Sequence, residues 1–132
     1  MKNYFDIVKN YLQDLEIRVT YENRQQGIII INNEAEGVVN LIICIAPPII
    51  IFEQFIFEME KPDLAIYKAL LSKNRDMIHG AFTLDDSGTK VIYRNSLQVE
   101  NIDSNELEGT LNALSLLLSE YSNQIINFSK KQ

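Results

Sequence analysis

Apolar and polar residues follow two different periods along this chain, and each change of period marks a new structural element. Over residues 3–15 the apolar positions recur every three or four residues, which predicts an amphipathic helix with Asn3 as its N-cap. Other segments alternate in steps of two, or are continuously apolar and β-branched, which indicates strands. The predicted strands cover residues 17–23, 28–31, 38–46, 50–59, 78–84 and 90–95.

Two further helices are predicted from their first turns. Pro62 suits the first turn of a helix that reaches residue 74, because proline's missing N–H is not needed there. Asp103 and Glu106 form a capping-box-like pair at the start of the last helix. Its apolar positions then recur at intervals of four and three: Leu107, Leu111, Leu114, Leu118, Tyr121, Ile125 and Phe128. Because the flanks lack paired charges, we interpret this stripe as the side that packs on the sheet, not as a coiled-coil seam.

The order of elements predicts an α+β fold: helix, four strands, helix, two strands, helix. Short turns join the strands, so the sheet should be mostly antiparallel, with the helices packed on one face. The 132 residues suit a single domain over residues 1–132, which can bury a core without disulfides or a metal.

The two central strands carry more apolar residues than one buried face requires. Strict alternation predicts that one side of the first central strand meets the helices: Val39, Leu41, Ile43 and Ile45. The opposite side of the sheet should be open, and it is also mostly apolar. An exposed apolar surface of this kind marks an interaction site. We predict that a partner contacts four residues on this open side: Ile42, Ile50, Phe52 and Ile56.

Three kinds of cover would explain the surplus apolar face. Either the chain's own helices bury both faces, or a second subunit covers the face in a homodimer, or a partner or client protein binds there. The polar but weakly charged side of the last helix is a further candidate contact surface, and it comprises Glu108, Asn112, Ser115, Ser119 and Ser122.

Charge and hydropathy exclude some partners. The net charge is −6 and the twelve basic residues are scattered. Because binding to nucleic acid or to an anionic membrane needs clustered basic residues, we expect neither partner. The apolar stretch over residues 38–52 is shorter than the ~20 residues of a membrane-spanning helix and contains Asn40 and Pro47-Pro48. The N-terminus lacks the apolar core of a signal peptide, so we expect a cytoplasmic protein.

Candidate chemistry is sparse. No nucleotide-binding, zinc or redox motif occurs, and His79 is the only histidine, so we expect no metal and no cofactor. The only cysteine, Cys44, lies in an apolar strand, where a thiol has little reactivity. The Asp85-Asp86-Ser87-Gly88 segment lacks the calcium-loop pattern and predicts a hairpin turn.

One run of residues resembles a known family. Gly80-Ala81-Phe82-Thr83-Leu84-Asp85-Asp86, then Gly88, then Val91-Ile92-Tyr93-Arg94-Asn95-Ser96-Leu97 and Glu100, is similar to the YbjN-like family. That family shares its fold with the class I type III secretion chaperones. The resemblance implies a helix-on-sheet domain, often dimeric, without catalytic residues. In the secretion chaperones, such a domain holds an unfolded stretch of a client against apolar patches.

Three functions are compatible with these observations. The first is a non-catalytic protein-binding module of chaperone-like fold. The second is a small-ligand-binding or regulatory domain, whose pocket would need polar groups such as Asn40, Tyr67, His79 and Arg94. The third, an enzyme that uses Cys44 or paired carboxylates, has the least support, and we expect no enzymatic activity.

Overall fold

A computed structural model describes residues 3–130, except for the side chain of Lys130. This part of the chain forms three α-helices, six strands and one short 3-10 turn (Glu34–Glu36). The helices are α1 (Tyr4–Asp14), α2 (Leu64–Asp76) and α3 (Ser104–Lys130). The strands are β1 (Arg18–Asn23), β2 (Ile28–Asn33), β3 (Val38–Ala46), β4 (Ile49–Glu58), β5 (Ala81–Leu84) and β6 (Lys90–Gln98).

Each helix begins after a polar side chain that accepts a hydrogen bond from the backbone N–H three residues later. These caps are Asn3, Asp63 and Asp103, and the predictions at Asn3 and Asp103 are confirmed. Pro62 precedes the cap of α2, so its predicted place in the first turn is wrong.

The six strands form one sheet in the order β1-β2-β3-β4-β6-β5, and every neighbouring pair is antiparallel. One side of the sheet packs on the three helices in a continuous hydrophobic core. The predicted fold class is therefore confirmed. Strand β5 is shorter than predicted: it begins at Ala81, after Gly80 at a φ of +75°, and Ile78 is 90% exposed outside the sheet.

Strand β3 departs from strict alternation near its start. Asn40 has a φ of +50°, a left-handed conformation that breaks the alternation of side chains. As a result, Val38 and Leu41 are both buried, whereas Val39 is 47% exposed. The prediction that Val39 meets the helices is wrong for this reason.

The pairing of β3 with β4 decides which side of β4 is buried. Ile43 lies directly opposite Phe52, and Ile45 lies directly opposite Ile50. Directly paired residues share one side of a sheet. Because Ile43 and Ile45 are in the core, Ile50 and Phe52 must be there too, and they are 0% and 2% exposed. The prediction that Ile50 and Phe52 lie on the open side is wrong.

The run that carries the family resemblance forms the β5–β6 hairpin. A Cβ at Gly80 would lie 2.5 Å from the Tyr93 hydroxyl oxygen and 2.6 Å from the ring carbon Cζ, so glycine is the residue that fits there at that backbone angle. In the turn, the Ser87 hydroxyl donates to the Asp85 carboxylate at 2.6 Å and holds the pKa of Asp85 below its ordinary value. The run therefore shapes a hairpin, as predicted for residues 85–88.

The outer edge of β5 is covered by α2. The Asn74 side chain donates to the Phe82 carbonyl at 3.0 Å and accepts from the Phe82 N–H at 2.8 Å. These two bonds replace the bonds that a further strand would make.

Candidate binding surfaces

The side of the sheet that faces away from the helices is apolar over its centre. We call this surface the open face. Its apolar residues are placed on one side by direct strand pairing or by alternation along the strands: Tyr21, Ile28, Ile30, Ile42, Cys44, Ile49, Ile51, Phe55 and Ile92. None of them is fully buried, and no helix of the described residues covers this side.

One ion pair lies among these apolar residues. Arg94 on β6 donates to Glu53 on β4 at 3.1 Å, and Glu53 lies directly opposite Ile42 on β3. Both charged side chains are partly exposed, so solvent screens the pair and it contributes little to stability. The pair leaves the centre of the open face without net charge.

The four residues predicted to contact a partner do not lie together. Ile42 is on the open face and is 42% exposed. Ile50 and Phe52 are in the core on the opposite side. Ile56 is half-buried at the irregularity in β4, between Phe55 and Phe57, where the pairing with β6 shifts. A role of Ile42 and Ile56 in partner contact remains a prediction.

Sequence reasoning missed the contribution of β1 and β2 to the open face. Ile30 lies directly opposite both Tyr21 and Ile42, and Ile28 lies directly opposite Cys44. The signal was available in the uniformly apolar run over residues 28–31, which has apolar side chains for both sides of the sheet.

A second candidate surface arises because β3 and β4 separate. Their pairing extends from Ala46–Ile49 to Ile42–Glu53. Beyond that point β3 stays paired with β2, and β4 stays paired with β6 as far as Glu58. The two central strands therefore enclose a gap at this end of the sheet.

The side chain of Gln54 bridges the gap. Its Oε1 accepts from the Val39 N–H at 3.1 Å, and its Nε2 donates to the Gly37 carbonyl at 3.1 Å. Gln54 is only 4% exposed, and these bonds satisfy an amide that would otherwise be costly to bury. The side-chain amide thus substitutes for the strand-to-strand bonds that are lost where β3 and β4 diverge.

A groove of about 760 Å³ lies over the gap, between the 3-10 turn, β4 and the second half of α3. We call it the split-strand groove. Its apolar lining consists of Ala35, Val39, Phe55, Ile56, Leu118, Ile125 and Ile126. Its polar lining consists of Glu34, Glu36, Gln54, Ser115, Ser119 and Ser122. The Ser115 hydroxyl donates to Glu36 at 2.9 Å and ties the 3-10 turn to α3.

We expect Gln54→Leu to lower the free energy of unfolding by about 1–3 kcal/mol, because it leaves the Val39 N–H and the Gly37 carbonyl without partners. Gln98→Leu is the matched control, since Gln98 is exposed at the end of β6. Urea unfolding followed by circular dichroism measures both variants. Equal stability of the two variants would contradict the bridging role of Gln54.

The polar groups considered for a small-ligand pocket are engaged separately. Tyr67 donates to the Gly88 carbonyl at 2.6 Å, and Arg94 pairs with Glu53 on the open face. His79 is exposed beside α3, and Asn40 is exposed on β3. These placements give no support to a pocket built from the four residues. Within residues 3–130, no three His, Cys, Asp or Glu side chains are grouped in a way that could hold a metal ion.

Comparison with known proteins places the chain in a family. Residues 1–131 match the CesT_Tir_1 family model. The chain therefore belongs to the CesT_Tir_1 family, a type III chaperone family. No curated protein matches it at a significant level. In the part of the chain that the structure describes, no helix is both long and apolar enough to cross a membrane.

Three solved structures share the fold. YbjN from E. coli, for which a role in transcription regulation has been suggested, has a TM-score of 0.72 at 17% identity, covering 91% of this chain and 92% of its own. A chain of the HopA1–SchA chaperone–effector complex has a TM-score of 0.66 at 10% identity, covering 90% and 94%. A chain from the complex of the Yersinia pestis type III secretion chaperone SycH with a stable fragment of YscM2 has a TM-score of 0.61 at 12% identity, covering 96% and 99%. The predicted resemblance to YbjN-like and chaperone folds is confirmed.

Proposed function

We propose that this chain is a non-catalytic module that binds a partner or client protein through the open face. The carrying observation is the apolar centre of that face, with Ile42 exposed between Ile30 and Glu53 on the neighbouring strands. An antiparallel sheet with helices on one side usually presents polar residues to water on the other. An uncovered apolar sheet face is stabilised by a partner that removes it from water, by roughly 25 cal/mol per Å² of apolar surface.

Membership of a chaperone family supports this function. The structural neighbours SchA and SycH occur in complexes with other proteins, and chaperones of this kind act without catalysis. We propose that the chain works in the cytoplasm as a single domain, without cofactor, nucleic acid or membrane. In a homodimer, a second copy of the chain would cover part of the open face.

We expect the double variant Ile42→Lys with Ile51→Lys to reduce the amount of crosslinked partner about tenfold or more. Each change places a charge where a partner would exclude water. Chemical crosslinking in a lysate of the source cells, followed by quantitative mass spectrometry, measures the loss. The matched control is Leu64→Lys with Leu71→Lys, which adds the same charges to two leucines that are 69% exposed on α2. Light scattering of both variants separates loss of a partner from loss of a homodimer.

The opposite pattern would contradict the proposal. If the α2 variant lost its partner and the open-face variant kept it, the binding surface would lie on the helices. If both variants kept every crosslinked partner and had the same solution mass by light scattering as the parent protein, the open face would have no binding role.

A further inference from the structure

We infer that a pocket between α2 and β5 binds a small, uncharged bicyclic aromatic molecule that carries one N–H group. The pocket has a volume of about 280 Å³ and lies beside the outer edge of β5. It shares no residue with the open face or with the split-strand groove. The inference therefore goes beyond the proposed protein-binding function and stands or falls independently of it.

The walls of the pocket are apolar side chains from two elements. Leu70 and Phe82 are buried and form its floor, whereas Leu71 and Leu84 are exposed at its rim. No charged residue of the described chain lines it. A cavity of about 150 Å³ with such a lining binds benzene, so the larger volume here suits two fused rings. A charged ligand would lose its hydration in this pocket without gaining an opposite charge.

Two side chains hold the pocket in shape. At one end the Tyr67 hydroxyl donates to the Gly88 carbonyl at 2.6 Å, which fixes the ring of Tyr67 at the pocket wall. At the other end the Asn74 amide makes two hydrogen bonds to the backbone of Phe82. A pocket formed before binding costs little ordering when a ligand enters. The rings of Tyr67 and Phe82 favour an aromatic ligand, because aromatic pairs gain stability beyond their buried area.

One residue of β5 supplies the polar contact. The N–H and C=O of Phe82 point away from β6, toward Asn74. Because these groups alternate in direction along an antiparallel strand and the β5–β6 pairing is regular, those of Leu84 point to the same outer edge. No described residue bonds to them. The Leu84 carbonyl is therefore placed to accept a hydrogen bond from a ligand N–H in the pocket that Leu84 lines.

The same edge is too short for an added strand. Asn74 occupies the outward groups of Phe82, and β5 ends at Leu84, so only one residue of β5 presents unbonded backbone groups here. Strand addition depends on a row of main-chain hydrogen bonds. A single acceptor beside apolar walls instead suits a small molecule, whose sites usually combine an apolar lining with a few placed polar groups.

Nuclear magnetic resonance of the isotope-labelled full chain, titrated with indole, tests the inference. We expect indole to shift the amide signals of Leu71, Phe82 and Leu84 most, with a Kd of about 0.1–1 mM for a ligand of this size. N-methylindole lacks the N–H and should bind about three- to tenfold more weakly. Indoleacetate adds a negative charge and should bind most weakly of the three.

A matched pair of variants assigns the binding to the pocket. Leu71→Ala removes part of the rim and should weaken indole binding about fivefold. Leu64→Ala is the control, because both leucines are 69% exposed on α2 but Leu64 does not line the pocket. Neither change removes a buried side chain, so both variants should have the circular dichroism spectrum of the parent.

Several results would overturn the inference. Indole that shifts no signal, or shifts mainly those of the open face, would leave the pocket without this ligand. Equal binding by Leu71→Ala and the parent would place the site elsewhere, and equal binding of indole and N-methylindole would refute the contact with Leu84. If a tryptophan-containing peptide bound at these residues more than about tenfold more tightly than indole, the occupant would be a protein side chain. If the same signals moved when the protein alone was diluted, a second copy of the chain would occupy the pocket.

Discussion

Gly27→Ala is expected to lower the free energy of unfolding by about 3 kcal/mol or more. Gly27 lies in the turn between β1 and β2 at a φ of +70°, which costs a residue with a side chain roughly 1–2 kcal/mol. Its carbonyl also accepts the Ile45 N–H at 2.7 Å, and an added Cβ would lie 2.5 Å from the Ile45 carbonyl oxygen. That atom is backbone, so relief requires β3 to shift and weakens the hydrogen bond.

Gly109→Ala is the control for this effect. Gly109 lies in α3, and an added Cβ would meet no atom within 4 Å. The change should stabilise the protein by about 0.5–1 kcal/mol, because alanine favours helix more than glycine does. Guanidinium unfolding followed by circular dichroism measures both variants. If Gly27→Ala were as stable as the parent, the close approach of the turn to β3 would be refuted.

Phe52→Ala should lower the free energy of unfolding by about 3–5 kcal/mol, whereas Ile42→Ala should change it by less than about 1 kcal/mol. Phe52 is 2% exposed beside Ile43 in the core, and its removal leaves a cavity under the helices. Ile42 is 42% exposed on the open face, so its truncation leaves no cavity.

Chemical denaturation of the two alanine variants therefore decides which side of β4 is buried. Met59→Ala serves as a second core reference, since Met59 is also 2% exposed. A small loss of stability for Phe52→Ala, as small as that for Ile42→Ala, would restore the assignment of both residues to the open side.

The sequence predicted well the features that depend on near neighbours. The caps at Asn3 and Asp103 follow from side chains that bond to a backbone N–H three residues away. The bounds of β3 are predicted as they occur, because turn residues on both sides end the apolar run. The antiparallel pairing of consecutive strands also follows from local information, since a short turn joins each such pair. The pairing of β4 with β6 does not, because α2 and β5 lie between these strands in the chain.

The candidate surfaces were predicted only in part. The excess of apolar residues in the central strands predicts that the open face is apolar, but it does not predict which residues form that face. Alternation predicts that residues 50, 52 and 56 lie on one side of the strand and their neighbours on the other. It does not predict which of the two sides faces the helices. The prediction for Ile50 and Phe52 failed because that choice depends on their partners Ile45 and Ile43.

The sequence by itself determined the elements, the fold class and an apolar surplus in the central strands, because propensity, capping and periodicity act over a few residues. Tertiary structure alone decided the register of β4 against β3, the left-handed turn of the backbone at Asn40 and the gap bridged by Gln54. A shift of one residue in strand pairing reverses the two sides of a strand, and only packing against the helices selects between them. Both candidate binding surfaces depend on that selection.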